Sequence, residues 1–225
     1  MAQQRACAQA LLVLALAVCG SAAARDEADI SMVSGSITVS AGEHRGDVKT
    51  VNGSIRVGQG AAVANAHTVN GDITLEPHAT AAEAKTVNGS VQLDEGARVE
   101  GRVATVNGSL ALERGAEVTD GLANVNGSMR VSGAHVGGDI TTVNGNLDLG
   151  PDARVDGGIV VRRKHSDDSD AHDTPPRIVI GPGSVVKGTL RFEREVKLYV
   201  SDRATIGPVE GATPIKFSGD HPPGP

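Results

Sequence analysis

The densest run of chemistry-bearing side chains in this 225-residue chain is RRKHSDDSDAHDTPPR, residues 162–177. It holds Arg162, Arg163, Lys164, His165, Asp167, Asp168, Asp170, His172 and Asp173. Histidine and aspartate are metal-ligand types, and either His165 or His172 could act as a general base. Their spacing matches no zinc or EF-hand template, and it lacks the glycine-rich nonapeptide that binds calcium in secreted repeat proteins. The segment therefore reads as a solvated, charged loop. His44, His67, His78 and His135 are scattered and do not share one position of a repeat. There is no phosphate-cradling glycine motif and no Ser/His/Asp set. The expectation is a protein that is not an enzyme, with no cofactor, no metal and no catalytic residues.

Any site must be positioned by a scaffold, and the scaffold is written six times over. Thr-Val-Asn-Gly or a near variant places Asn-Gly at Asn52-Gly53, Asn70-Gly71, Asn88-Gly89, Asn107-Gly108, Asn126-Gly127 and Asn144-Gly145. The asparagine numbers rise by 18, 18, 19, 19 and 18, and Ser34-Gly35-Ser36-Ile37 reads as a diverged copy one step earlier. After each corner comes an aliphatic-x-aliphatic triplet: Ile37/Val39, Ile55/Val57, Ile73/Leu75, Val91/Leu93, Leu110/Leu112, Met129/Val131 and Leu147/Leu149. A second corner follows, as in Gly96-Ala97-Arg98-Val99 and Gly115-Ala116-Glu117-Val118, and then a short strand leads back to Thr-Val-Asn-Gly.

Alternation with period two is a strand signal. Three short strands and three corners in each step make one coil of a parallel β-solenoid, whose coils stack about 4.8 Å apart. No coil can bury its apolar side alone, so identical positions lie on top of one another. Stacked asparagines can form a hydrogen-bonded ladder, and the glycine is expected to supply a positive-φ corner. On this reading the formal Asn-Gly-Ser glycosylation sequon is structural. Asn-Gly is also the strongest hairpin signal, so a meander is the rival locally. The three-cornered unit and the constant step favour the solenoid.

The fold class expected is all-β: a single-domain parallel β-helix (β-solenoid) of about nine 18–19-residue coils, covering 25–218. Ile178-Val179-Ile180 resumes the triplet much more than one step after Leu147, so a polar insertion, 162–177, leaves one corner. The tail 219–225, GDHPPGP, is expected to be disordered. Only two Phe, one Tyr and no Trp occur, so the core must be narrow and aliphatic. All three aromatics, Phe192, Tyr199 and Phe217, fall near the C-terminus, where they are expected to form an end cap or an interface.

Composition limits the partners. The formal charge is −6 with both signs interspersed, which argues against nucleic-acid binding. The N-terminus has Arg5, an apolar run from Ala10 to Val18, and small residues Ser21 to Ala24. That order is a signal peptide over 1–24. The run is short of the roughly 20 residues that span a bilayer, so no transmembrane segment is expected in the mature chain. Cleavage near Ala24 would remove Cys7 and Cys19. In the other reading, Leu16-Ala17-Val18-Cys19 resembles a bacterial lipobox with Cys19 lipidated. Either way the protein is expected to be exported, to the periplasm or the cell surface.

The unit LDEGARVEGRVATVNGSL, residues 93–110, resembles the coils of bactofilins, bacterial polymer-forming cytoskeletal proteins. The Val-Asn-Gly-Ser corners are also similar to adhesin-like β-strand repeat proteins of bacteria. The resemblance spans about 30–210 and implies a β-helix without bound nucleotide. Bactofilins further imply filaments built by end-to-end stacking. The signal peptide, the polar loop and the C-terminal aromatics depart from that family. The function expected is a structural, scaffold or binding role in the cell envelope, with self-association through the end coils. The alternatives are a surface adhesin-like protein that binds an envelope protein or glycan, and a hexapeptide-type acyltransferase-like enzyme. Such acyltransferases also use 18-residue coils and an extruded loop, but two coils here are one residue longer.

Overall fold

The computed structural model describes residues 28–163 and 174–222. Among them every strand pair is parallel, and the strands form two sheets of 17 and 10 strands. The chain is a β-solenoid, and the hairpin meander is ruled out because consecutive copies pair side by side in the same direction.

Each coil has three sides, seen clearly at Arg98–Val99, Arg102–Asn107 and Leu110–Leu112. The first two sides belong to the large sheet and merge into single strands at Ala62–Asn70 and Thr80–Asn88. The third side is the aliphatic triplet, and its ten strands count ten coils. The extra coil relative to expectation is Ile215–Phe217, which pairs Tyr199–Ser201. Its Ile-Lys-Phe spelling hides the triplet, because Lys216 stands where Val200 stands one coil earlier. Ten coils at about 4.8 Å make a rod about 45 Å long.

The core is a set of vertical aliphatic columns. On the third side Val39, Val57, Leu75, Leu93, Leu112, Val131 and Leu149 lie in register and are buried. On the first side the column is Val63, Ala81, Val99, Val118, Val136 and Val155. Parallel in-register stacking puts like on like, so branched side chains nest on identical neighbours. This is why so narrow a core manages almost without aromatics.

Both ends of the rod carry a charge in a core column. Arg45 pairs with Val63 at the N-terminal end and is bonded to Glu43. Lys216 pairs with Val200 at the C-terminal end. A second copy stacked on either end would have to desolvate that cation.

The insertion leaves the rod where expected, since Leu147 pairs with Ile178. Its boundary is shorter than the sequence implies. Arg177 already belongs to the strand Arg177–Ile180, opposite Lys197. The tail also begins in order: Arg203 Nη2 lies 2.7 Å from Asp220 Oδ1, so residues 219–222 are described as part of the fold. The expected signal peptide and Cys19 lie outside the described residues, as do Lys164, His165, Asp167, Asp168, Asp170, His172 and Asp173. No helix among the described residues is long and apolar enough to cross a membrane.

Candidate interaction face and its asparagine edge

The Thr-Val-Asn-Gly corner assigns one task to each residue. The threonine points inward. Thr50, Thr68, Thr86 and Thr105 are buried, and each donates its hydroxyl hydrogen bond to the carbonyl of a corner glycine, Gly35, Gly53, Gly71 and Gly89, at 2.8–3.1 Å. Asn124 takes this place in the fifth full copy and donates Nδ2 to Gly108 O at 3.1 Å. Its Oδ1 is buried with no hydrogen-bond partner among the described residues.

The asparagine forms the ladder. Asn70 donates Nδ2 to Asn52 Oδ1 at 2.8 Å, and Asn88, Asn107, Asn126 and Asn144 each donate to the one before at 2.9–3.0 Å. The last acceptor, Asn144 Oδ1, receives Arg194 Nη1 at 2.6 Å. A tract of one residue type is thus terminated by a cation that the repeat itself does not contain.

The glycine is required by close approach more than by its dihedral. A Cβ on Gly53, Gly71, Gly89, Gly108 or Gly127 would lie 1.9–2.1 Å from the carbonyl oxygen of the corner glycine one coil earlier. Positive φ is clear at Gly35 and Gly127, at 118° and 129°, but it is not shared by all the corners. The expected positive-φ role is therefore corrected: stacking distance imposes the glycine.

The valine points outward. Val51, Val69, Val87, Val106 and Val125 are each 36–40% exposed, and Val33 is 72% exposed. They stack between the buried threonine column and the asparagine ladder, and Val143 continues the row. An apolar stripe thus runs along the second side of seven coils. Surface valines scattered singly are ordinary, but a contiguous row is not. The repeat spelling by itself marks these valines only as part of the corner. The signal was available in the alternation: with Val48 and Thr50 inward, Val51 must face out.

Beside the stripe runs a second outward column, Lys49, His67, Lys85, Ala104, Ala123 and Thr141. Beyond it lies a third, Asp47, Asn65, Glu83, Arg102, Gly121 and Asp139. In the second column the N-terminal half is bulky and charged, and the C-terminal half is small. The small half forms the floor of a groove of about 580 Å³.

The charges of the bulky half are paired. Lys49 Nζ lies 2.5 Å from Asp47 Oδ2, and Asn65 donates to Asp47 at 2.7 Å; these two hydrogen bonds hold the Asp47 carboxyl below its usual range. Burial pushes Glu83 up, but hydrogen bonds from Lys85 and His67 outweigh it and leave its carboxyl lowered. On the first side a similar ladder runs Arg98–Glu117–His135–Asp156–Lys187, with contacts of 2.7, 3.8, 3.0 and 2.7 Å. There Lys187, then His135, lowers Asp156.

The three aromatics do not form one group. Phe192 is buried in the core, in register with Val161. Tyr199 and Phe217 pack with Val179 in a separate cluster on the outer face of the third side, with the Arg177 guanidinium 5.1 Å from the Tyr199 ring centre. Tyr199 faces outward as the middle residue of its triplet, and Phe217, in the last coil, packs on that outer cluster. At the root of the insertion, Arg163 donates its backbone N–H to Glu193 Oε2 at 3.2 Å. Among the described residues no three His, Cys, Asp or Glu side chains converge as metal ligands.

No family model, curated protein or solved structure matches this chain.

Proposed function

We propose that this protein is an exported structural rod of the bacterial cell envelope, which works by association through the side of its solenoid. The observation that carries this reading is the exposed valine stripe on the second side. It is exposed in six coils and continues at the half-buried Val143 in a seventh, is flanked by a bonded asparagine ladder, and recurs coil after coil in nearly the same spelling. Stacking alone explains the threonine, the asparagine and the glycine of each corner. It does not explain an outward valine, where a polar strand former such as threonine would serve the sheet equally well. Association through the ends is disfavoured by Arg45 and Lys216 in the core columns.

Cell fractionation tests the reading. The wild-type protein is expected in the envelope fraction, retained after a low-salt wash. Val106→Asp, which places a charge in the middle of the stripe without touching the core, is expected to release it into the soluble fraction. Retention of the variant equal to wild type would remove the side of the rod as the working surface.

A further inference from the structure

We infer that the valine face takes a second copy of this chain, packed face to face with the two rods antiparallel. The inference rests on the lateral-association reading above and names its partner.

The face is self-complementary about one point, midway between the coils of Val87 and Val106. A two-fold axis there, running along the strand direction, keeps every outward column opposite itself and reverses the coil order. A two-fold interface needs this kind of match, since each surface patch meets its own symmetry mate. In the central column Val87 then faces Val106, Val69 faces Val125 and Val51 faces Val143, while at the edge of the contact Val33 faces Arg162, which continues the column one coil after Val143. In the next column Lys85 faces Ala104, His67 faces Ala123 and Lys49 faces Thr141. Each bulky residue of the N-terminal half meets a small one of the C-terminal half. The groove of about 580 Å³ is thus the mould for the ridge of the other copy.

Charge follows the same symmetry. In the third column Glu83 faces Arg102, an arginine with no ion-pair partner among the described residues, and the contact occurs twice. Asn65 faces Gly121. At the rim Asp47 faces Asp139, where Lys49 at 2.5 Å offsets the Asp47 charge. A parallel arrangement about the rod axis loses these matches. It sets Lys49, His67 and Lys85 against the neutral asparagine ladder and leaves Arg102 outside the contact.

The area is sufficient. A six-residue side is about 20 Å wide, and the six coils in which valine meets valine are about 29 Å tall. Their product, roughly 580 Å² per copy and so about 1,160 Å² in total, exceeds the roughly 1,000 Å² that a specific interface needs. Sheets packed this way sit about 10 Å apart with strands within about 30°.

The test is sedimentation equilibrium of the protein purified in the form the cells produce, over about a hundredfold range of concentration. Wild type is expected at twice the chain mass. Val106→Asp is expected at the chain mass, with an unchanged circular dichroism spectrum and a cooperative melting transition whose midpoint no longer depends on concentration. Glu83→Arg and Arg102→Glu are each expected to weaken the dimer about tenfold, because each sets like charges together twice. An equal mixture of those two variants is expected to regain wild-type affinity, since both contacts in the mixed dimer are then opposite in sign. A monomer at every concentration overturns the inference, as does a mixture no tighter than its components. If wild type is monomeric but Val106→Asp still leaves the envelope fraction, the lateral-face reading stands and the second copy falls. If Val106→Asp changes neither mass nor fractionation, both fall.

Discussion

Arg194 Nη1 sits 2.6 Å from Asn144 Oδ1, far away in sequence, and so satisfies the last acceptor of the asparagine ladder. The ladder therefore has a defined end. Asn88, in its middle, both donates to Asn70 and accepts from Asn107. Asn88→Ala removes two hydrogen bonds and is expected to cost about 1–2 kcal/mol, while Arg194→Ala costs about 1 kcal/mol. Urea unfolding reads both. Neighbouring coils are coupled only to each other, so the Asn88 change should also broaden the transition. An Asn88→Ala protein as stable as wild type would mean the exposed amides exchange freely with water.

The glycines of the rod fall into two kinds, and alanine substitution separates them. At Gly89 a Cβ would meet Gly71 O at 2.0 Å, so Gly89→Ala must push neighbouring coils apart. A cost of about 3 kcal/mol is expected, the upper end for overpacking. At Gly60 a Cβ meets nothing within 4 Å, and only its φ of 65° opposes a side chain. Gly60→Ala is expected to cost about 1 kcal/mol. Equal midpoints for the two variants would contradict the close-approach account.

Asn124 is the one member of the inward threonine column that leaves an acceptor buried and unpartnered among the described residues. Asn124→Thr restores the residue found at Thr105, its register partner one coil earlier. Relief of the buried Oδ1 is expected to stabilise the protein by about 1 kcal/mol. Thermal unfolding checks this, and a lower melting temperature would show that Asn124 has a partner of its own.

Asp156 is held below the usual carboxylate range by Lys187 first and His135 second. A carboxyl lowered on folding adds stability that is present above its unfolded pKa and lost as pH falls through the folded one. The contribution of Asp156 is therefore expected to fade only as the pH falls below the ordinary carboxylate range, about pH 4. Lys187→Gln should move the Asp156 titration upward in a carboxyl NMR experiment. An unmoved titration would assign the shift to a different neighbour.

The solenoid was legible in the sequence because its signal is periodic. A near-constant step and an aliphatic triplet survive without any three-dimensional information. Where the period decays, the reading failed in a physical way. Ile215–Phe217 escaped because Lys216 occupies an inward column at the open end, where a charge is tolerated. Phe192, Tyr199 and Phe217 were grouped by their closeness in sequence. Strand alternation instead turns Phe192 into the core and Tyr199 onto an outer face. The valine stripe was hidden for a different reason. Valine is read as core by type, and only its place after an inward threonine turns it to solvent. Arg194 could not be assigned to the ladder from sequence, since the insertion shifts it out of the repeat.

The rod is proposed to associate by its side and not by its ends. Small-angle X-ray scattering of the purified protein tests this most directly, because shape distinguishes the two. Side-by-side pairing about the point between Val87 and Val106 staggers the two rods by two coils, so it predicts a particle of fixed length, about 55 Å, with a cross-section about twice that of one rod over most of that length. Particles that lengthen with concentration at constant cross-section would contradict it and mark the end coils as the adhesive surface.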